Sequence, residues 1–510
     1  MKSKKELSRR KFISSTTLAT LGTLGAAGMS SSCIISKKKI EKGKPSPLAH
    51  DQPNLLYIVV DEMREMAMSC SGDVNIKTPV LDSLAAGGTR FTHMYTVNPV
   101  CSPARVTIHS GLYPHNAGMP HNGYHLRETA TTLSEVLSNA GYYTGHIGKW
   151  HLDGIDSPYA EEDKKSFLPH RAKWSVDDYP YVPFSNHRGF QYWAGFEHGH
   201  QYFGSRYWEK DHDPIYLPDG VYEPDFQTDL ALAFIEKNRN KPWYLDLNFG
   251  TPHFPYVKEN VKAKDLALFD PDKMQLRSNV PAKYASEARE LMPIYYAMIH
   301  NIDQNILKLL NKLEELNLTK NTLVIFTSDH GEMMLSHGQH YKRRPQEESS
   351  RIPFIMRYPS KIQVGKIASQ YISLVDAFPT ILDLLEVKKP CNEGKSFLKI
   401  LTSNYPDELH QSLYLGCAQF GCREYDPGLF SKMPWRAIRT KDYMMAFLKT
   451  SGNVVKPVQL FDMNKDPYQM NNLIGSTGYD VVKEYLIKEF IKWRNRTGDS
   501  EFEKIKLVKT

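Results

Sequence analysis

The sequence predicts an α/β protein with a large, mostly parallel central sheet and a smaller C-terminal α+β domain. Short apolar, β-rich runs alternate with longer helical stretches, which is typical of strands that helices cover on both faces. The chain has 510 residues, enough for one large α/β domain and a second, smaller one. Apolar residues make up 41% and charged residues 24% of the chain, as in an ordinary globular protein.

The elements are predicted in the following order. Continuous β-rich runs indicate strands at residues 55–60, 142–147, 244–249 and 323–327. A short helix is predicted at 133–140, ending before a glycine, and a long amphipathic helix at 293–316. From residue 386 the pattern changes to short strands and turns with a late helix at 479–496. We therefore expect a large domain over residues 51–385 and a smaller domain over residues 386–510.

The first 33 residues are predicted to be an export signal. Ser8-Arg9-Arg10-Lys11-Phe12 is a twin-arginine pattern, and the weakly apolar stretch that follows is too short and polar for a stable membrane span. Ser31-Ser32-Cys33 fits a lipoprotein cleavage site with a lipid anchor on Cys33; the alternative is ordinary cleavage of a soluble periplasmic protein. Residues 34–50 then form a linker. We expect a bacterial protein that is periplasmic or anchored to the outer membrane.

The net charge of +7 comes from this leader. Residues 1–45 contain eleven Lys or Arg and two Glu, which leaves the rest of the chain slightly acidic. The composition therefore gives no basic field for a nucleic-acid partner.

The six cysteines of the chain give little indication of disulfide bonds. Cys417 and Cys422 could form a local disulfide in an oxidising compartment, or they could remain two buried thiols. A zinc site is disfavoured because no second Cys/His pair lies nearby at metal-ligand spacing.

Polar side chains with catalytic or metal-binding chemistry follow all four predicted strands. In strand order these residues are Asp61 and Glu62, then Lys149 and His151, then His253, then Asp329 and His330. In open parallel sheets, sites form outside the carboxyl ends of the strands. The sequence therefore predicts that these residues converge at one edge of the sheet.

Cys101 is the candidate reactive group. A proline two residues later, Pro103, indicates that Cys101 begins a helix, where the helix dipole lowers a thiol pKa. Arg105 lies four residues on and so shares its helical face. Taken alone, a single cysteine of this kind is more often a buried structural thiol.

Several motifs together change that interpretation. Cys101-Ser102-Pro103-Ala104-Arg105, followed by Gly111 and by Gly148-Lys149-Trp150-His151, resembles the type I sulfatase family of the alkaline phosphatase superfamily. The similarity extends from Pro53 to about Leu473 and also includes Thr78–Asp82, Thr251–His253, Ser328–Glu332, Arg351–Pro353 and Phe461–Met463. The resemblance implies an alkaline-phosphatase-like fold and makes residues 51–385 the catalytic domain.

The resemblance also implies a mechanism. A maturation enzyme would oxidise Cys101 to formylglycine, whose hydrate carries two hydroxyls: one displaces the alcohol from sulfur, and the other is deprotonated to expel sulfate. The implied ligands of a Ca²⁺ ion, or of Mg²⁺, are Asp61, Glu62, Asp329, His330 and an oxygen on the modified Cys101. Glu62 stands where a second Asp is commoner, so it is either a ligand or a residue behind the ligands. A salt bridge from Glu62 to Arg64 or Arg90 is the structural alternative.

The remaining site residues receive their roles from the same resemblance. Arg105 would support the nucleophile electrostatically, and Lys149 and Lys342 would neutralise sulfate oxygens as the ester bond breaks. His151 would deprotonate the second hydroxyl, and His253 would contact sulfate and protonate the leaving alcohol.

The substrate is expected to be a sulfated glycan or oligosaccharide. Long polar and aromatic loops over residues 152–222 favour sugar binding, with His170, His187, Arg188, His200 and Arg206 as candidate contacts. Aryl or choline sulfate and a phosphate or phosphonate monoester are the alternative substrates. A glycan-binding lipoprotein with a degenerate site is disfavoured because Cys101, Arg105 and His151 are all present. A further alternative is a chain left unmatured in a cell that lacks the modifying enzyme.

Overall fold

The computed structural model describes residues 52–154, 181–199, 201–210, 213–418, 430, 432–450 and 454–502, and the backbone of 506–507. The strands in these residues are β1 (Asn54–Val60), β2 (Thr89–Tyr95), β3 (Tyr143–Lys149), β4 (Tyr192–Phe196), β5 (Arg206–Tyr207), β6 (Ile215–Tyr216), β7 (Trp243–Phe249), β8 (Thr322–Ser328), β9 (Arg351–Arg357), β10 (Lys366–Ala368), β11 (Ile372–Ser373), β12 (Ser412–Cys417), β13 (Trp435–Thr440), β14 (Tyr443–Thr450), β15 (Val454–Asp462) and β16 (Lys506–Leu507). The α-helices are α1 (Pro79–Ala86), α2 (Cys101–Ser110), α3 (Leu133–Asn139), α4 (Glu223–Asn238), α5 (Ala263–Leu266), α6 (Ala285–Glu315), α7 (Glu347–Ser350), α8 (Ala377–Leu384), α9 (Leu398–Thr402) and α10 (Asp480–Thr497).

A nine-stranded sheet forms the centre of the larger part of the molecule. Its strand order is β10-β2-β9-β8-β1-β7-β3-β4, with β11 also paired to β2. The strands β8, β1, β7, β3 and β4 pair in parallel, whereas β9 runs antiparallel to both β8 and β2. The expected mostly parallel sheet is therefore confirmed, and the carboxyl ends of these five parallel strands lie at one edge.

The strand β1 shows why the sheet is covered on both faces. All seven of its residues are buried. Leu56, Ile58 and Val60 pack into one core cluster that includes residues of α4 and α6. The alternate residues Leu55, Tyr57 and Val59 pack into a second cluster that includes residues of α2 and α8. Because successive side chains of a strand point to opposite faces, one apolar run supplies both cores.

Two elements differ from the sequence prediction. The long helix α6 begins at Ala285, eight residues before the predicted start, and contains Pro293 in its interior. The two turns before Pro293 are already helical and bury Ala288 and Met292. The strand β3 extends to Lys149, so this lysine is the last residue of the strand and does not follow it.

A second, five-stranded sheet forms the C-terminal α+β region. Its order is β12-β13-β14-β15-β16, and its first four strands are antiparallel. The helix α10 packs on it through Leu486, Phe490 and Trp493. Residues of α9 still belong to the core of the larger sheet, so packing of the larger domain continues past the boundary expected at residue 385. Among the described residues, no helix is both long enough and apolar enough to cross a bilayer.

Glu347 in α7 connects the two sheets. Its buried carboxylate accepts hydrogen bonds from Arg439 Nε on β13 (2.9 Å), Arg351 Nη1 on β9 (3.2 Å) and the hydroxyl of Tyr95 on β2 (3.0 Å). Burial raises the pKa of the Glu347 carboxyl, but Arg439 and Arg351 lower it by more, so its pKa is about 2.

We expect Glu347→Gln to destabilise the protein by about 3 kcal/mol at pH 7, and this difference should vanish in acid. The folded-state pKa lies below the unfolded value, so the stabilisation is present above the unfolded pKa of about 4.3 and is lost as the pH falls towards 2. Urea unfolding of the wild type and of Glu347→Gln at pH 7, 4 and 3 measures this difference in unfolding free energy.

The control for this prediction is Glu236→Gln, which breaks the exposed 2.7 Å pair with Arg239. Its effect should stay within about 0.5 kcal/mol. A Glu347→Gln difference that persists unchanged at pH 3 would contradict the proposed linkage.

Candidate active site

The carboxyl ends of β1, β3, β7 and β8 bring chemically active side chains around Cys101. The structure assembles there Asp61, Glu62, Lys149, His151, His253, Asp329, His330 and Lys342. Lys342 comes from the loop between β8 and β9, and the others lie at or just after a strand end. Except for His151, which is partly exposed by surface area, all are buried, so their charges act on one another with little solvent screening.

Cys101 is the first residue of α2 and is buried. The Lys342 ammonium donates a hydrogen bond to its sulfur (3.2 Å), and His330 Nε2 lies 3.3 Å from the same atom. Burial raises the pKa of the Cys101 thiol, but Lys149, Lys342 and His330 lower it more, so its pKa falls well below the ordinary value. The surroundings of Cys101 thus stabilise negative charge on the atom at this position.

Arg105 lies one helical turn further along α2 and is fully buried. It donates from Nε to Asp329 (3.1 Å) and from Nη2 to Asp61 (3.4 Å). Its Nη1 donates to the Lys149 carbonyl (3.0 Å) and to the amide oxygen of Asn248 (2.8 Å). Arg105 therefore ties α2 to four strand ends, those of β1, β3, β7 and β8. Asn248 was not predicted, although a polar residue near the end of an apolar strand was a visible signal.

The two aspartates have different electrostatic environments. Burial and Cys101 raise the pKa of Asp61, but Lys149 (2.5 Å), His253 and Arg105 lower it more, and the net pKa is below its ordinary value. Burial and the nearby Asp61 charge raise the pKa of Asp329. The two negative carboxylates therefore still repel each other, despite the positive charge of Arg105.

Glu62 has an unusual backbone and unsatisfied oxygens. Its φ is 73°, in the left-handed region, and neither carboxylate oxygen has a hydrogen-bond partner. Its oxygens lie 3.1 Å from His253 Nε2 and 3.6 Å from Lys342 Nζ. Burial raises the pKa of Glu62, and although Lys342 lowers it, Glu332 and Asp61 help to keep it well above its ordinary value. The alternative salt bridge to Arg90 is not formed, because Arg90 pairs with Glu65 (3.4 Å).

The donor atoms fit a divalent cation. Two groups have ligand atoms within 4.8 Å of one another: one contains Asp61, Cys101, Asp329 and His330, and the other contains Asp61, Glu62 and His253. The buried, unpartnered oxygens of Glu62 and the repelling aspartates are the feature that a cation would satisfy, and hard oxygen donors suit Ca²⁺ or Mg²⁺. The Glu62 carboxylate thus groups with Asp61 and His253, and the Glu62 backbone N–H donates to Asp329 (3.2 Å).

A hydrogen bond from Nδ1 fixes the ring orientation of two histidines, so that Nε2 of each faces the side chains around Cys101. His330 Nδ1 donates to the Gly331 carbonyl (3.0 Å), which turns Nε2 towards Cys101. His253 Nδ1 donates to the Phe254 carbonyl (2.7 Å), which leaves its Nε2 to accept from Lys342 (2.6 Å). Burial and then Lys342 lower the pKa of His253 to about 3. Burial and then Lys149 lower the pKa of His151 to about 4. Both imidazoles are therefore neutral at pH 7.

Three of the predicted substrate contacts, His187, Arg188 and Arg206, contact other residues of the protein. His187 is buried, donates to the Val182 carbonyl (3.0 Å) and stacks on Trp193. Arg188 pairs with Glu135 (2.8 Å), and the guanidinium of buried Arg206 packs over Trp208. These contacts hold the three side chains against β4, α3 and Trp208, and their role in substrate binding stays a prediction. Of the residues singled out in the sequence, those outside the described part of the chain are His170, His200, Cys422 and the leader with Cys33.

The mostly parallel sheet and the buried acid–base cluster at its strand ends define a hydrolytic α/β enzyme. The family model described as Sulfatase matches residues 53–387, and the model described as N-sulphoglucosamine sulphohydrolase, C-terminal, matches residues 336–496. The chain therefore belongs to the sulfatase family of the alkaline phosphatase superfamily and is a sulfuric ester hydrolase.

Proteins named as sulfatases resemble most of the chain. An ulvan-active sulfatase from Formosa agariphila is 33% identical, over 88% of this chain and 82% of its own. An endo-4-O-sulfatase from Bacteroides thetaiotaomicron is 28% identical, over 85% of this chain and 90% of its own. The crystal structure of a candidate sulfatase, yidJ, from Bacteroides fragilis has a TM-score of 0.78 and 26% identity, covering 92% of this chain and 100% of that one.

Proposed function

We propose that this sulfatase removes sulfate from a sulfated carbohydrate by means of a formylglycine made from Cys101 and a bound Ca²⁺ or Mg²⁺ ion. The observation that carries the proposal is the buried ring of charges around Cys101. The Lys342 ammonium lies 3.2 Å from its sulfur, beside His330 and the two aspartates. Such a ring fits a doubly hydroxylated carbon next to a sulfate group better than it fits a structural thiol.

The lysines are suited to hold the sulfate group. Lys149 is paired with Asp61 (2.5 Å), whereas Lys342 faces His253 and Glu62. Both can neutralise charge that builds on non-bridging oxygens as the S–O bond breaks. When bound, the cation would polarise the sulfate and favour the ionised form of the attacking hydroxyl. Its ligands would be Asp61, Asp329, His330 and an oxygen at position 101, and Glu62 is placed to join them.

Proton transfer would use the two neutral histidines. Burial and Lys149 lower the pKa of His151 by more than the side chain at position 101 raises it, which leaves His151 unprotonated and ready to accept a proton from a hydroxyl there. On the other side, the Lys342 ammonium donates to His253 Nε2 at 2.6 Å. In this proposal the Lys342–His253 pair supplies the proton that the leaving oxygen takes up.

A carbohydrate substrate is supported by the ulvan-active and endo-4-O-sulfatase relatives. Half-buried aromatic rings lie beside the sulfate site, where Phe254 and Tyr341 have centroids 4.4 Å apart. Aromatic faces commonly bind sugar rings. We also propose export by the twin-arginine leader, a formylglycine-generating maturation enzyme as partner, and either a lipid anchor at Cys33 or release into the periplasm.

Mass spectrometry of the Cys101 peptide from protein made in its native host tests the modification. We expect the aldehyde in place of the thiol, because the Cys-x-Pro-x-Arg sequence is intact. Unmodified thiol in all molecules of an active preparation would overturn the mechanism.

Comparison of substrates on the same preparation tests the activity. We expect release of sulfate from sulfated oligosaccharides to exceed that from 4-nitrophenyl sulfate and choline sulfate. Aryl sulfate turnover should in turn exceed aryl phosphate turnover. Faster phosphate hydrolysis by a wide margin would make the protein a phosphoesterase with the same fold.

A further inference from the structure

The loop that carries Lys342 has a strained backbone. Residues 332–343, named the Lys342 loop here, link the last metal-site residues after β8 to the lysine at Cys101. Five non-glycine residues of this loop have positive φ: Met334 (43°), Leu335 (62°), His337 (58°), Tyr341 (63°) and Arg343 (72°). Such conformations are unfavourable for side chains like these and persist only where surrounding contacts over-determine them.

Glu332 makes those contacts at both ends of the loop. Its carboxylate is buried, and Oε1 accepts hydrogen bonds from the backbone N–H of Met334 (2.9 Å) and of Tyr341 (2.7 Å). Oε2 accepts from the hydroxyl of Tyr256 (3.3 Å). Both backbone donors belong to residues with positive φ, and Tyr341 directly precedes Lys342. One carboxylate oxygen therefore bridges the two ends of the loop, alongside the backbone hydrogen bond from the Met333 N–H to the Tyr341 carbonyl (2.7 Å).

The position of Lys342 leaves little tolerance. Its ammonium lies 3.2 Å from Cys101 Sγ and 2.6 Å from His253 Nε2, so a small shift of its backbone would remove both contacts. The long, flexible lysine side chain gives no restoring force of its own. Loop contacts to Asn279 and Glu287 lie further from this point, at His337 and His340.

We propose that Glu332 is a positioning residue that holds Lys342 at the sulfate group by bridging the two ends of its loop. The inference rests on the proposed function, because it takes Lys342 as a sulfate-binding group. Glu332 touches no reacting atom in this assignment. It acts only through the backbone next to Lys342.

The test measures binding of inorganic sulfate by calorimetry, which needs no turnover. Glu332→Ala should weaken sulfate binding by about 10-fold, the loss expected for charge-assisted hydrogen bonds. In a Lys342→Met background the same change should alter the dissociation constant by less than about 2-fold, because the residue through which it acts is gone. Equal losses in both backgrounds would overturn the proposal, as would no loss in either.

Two further variants separate positioning from charge and from folding. Glu332→Gln keeps a carbonyl oxygen for both N–H groups, so sulfate affinity should stay within about 3-fold of the wild type. A loss as large as that of Glu332→Ala would show that the charge matters and would overturn the bridging role. Glu287→Ala, which removes the exposed 3.1 Å contact to His340 on the same loop, is the matched control and should leave affinity unchanged.

Turnover of 4-nitrophenyl sulfate gives the second readout. The value of kcat/KM should follow the same pattern as sulfate affinity across the variants. If the wild type binds sulfate with this pattern but hydrolyses no sulfate ester, the proposed function fails while the positioning role stands.

Discussion

Cys101→Ala should abolish sulfate release and leave the fold intact. Alanine cannot become an aldehyde, so the site would keep its lysines and histidines but lose the group that attacks sulfur. Loss of a nucleophile lowers kcat by about 10⁴- to 10⁶-fold in enzymes of comparable design. Cys101 begins α2 and its sulfur contacts polar groups, so removing it should cost no more than about 1 kcal/mol of unfolding free energy. Turnover of 4-nitrophenyl sulfate and urea unfolding measure the two effects.

Cys70→Ala is the matched control for this prediction. Cys70 is half-buried and lies in a short helical turn after β1, where its backbone N–H donates to Asp82 (2.9 Å). Its substitution should leave turnover unchanged. Residual activity of Cys101→Ala above about 1% of the wild type would contradict a nucleophile made from Cys101.

The central sheet and much of the site could be predicted from local sequence signals. An apolar run such as Leu55–Val60 must be covered on both faces wherever it lies, so a buried parallel strand followed from it. Polar residues directly after such runs, such as Asp61 and Asp329, then had to meet at one edge. The start of α2 at Cys101 also followed from Pro103, since proline is favoured in the first turn of a helix.

The contacts that depend on loop paths could not be predicted. His187 and Arg188 were expected over the site, but their partners Val182, Trp193 and Glu135 are set by how an aperiodic loop folds back. The spacing of residues in the sequence does not determine the path of such a loop.

The exact orientation of site side chains was also beyond the sequence. Glu62 could be named as a candidate ligand, yet the position of its carboxylate beside His253 depends on a positive φ that its side chain does not favour. Asn248 and Glu332 act through partners that are far away in the chain.

Asp61→Asn should remove the bound cation and most of the activity. Asp61 is the one residue common to both candidate ligand groups, and it also neutralises Lys149 and Arg105. An amide would keep the shape but lose the charge, so cation affinity should fall. We expect kcat/KM to drop roughly 10³-fold, which corresponds to about 4 kcal/mol of transition-state stabilisation. Metal content per chain after desalting gives a readout that does not depend on turnover.

Asp303→Asn separates loss of metal from loss of stability, since both changes remove one buried carboxylate charge. Asp303 accepts hydrogen bonds from the backbone N–H of Val80 (3.1 Å) and Leu81 (2.9 Å) at the start of α1, away from the cluster. Its variant should lose about 1 kcal/mol of unfolding free energy and keep its metal. If Asp61→Asn retains metal to the same extent as Asp303→Asn, then Asp61 serves only to balance Lys149 and Arg105. In that case the cation must be held by Asp329 and His330 without it.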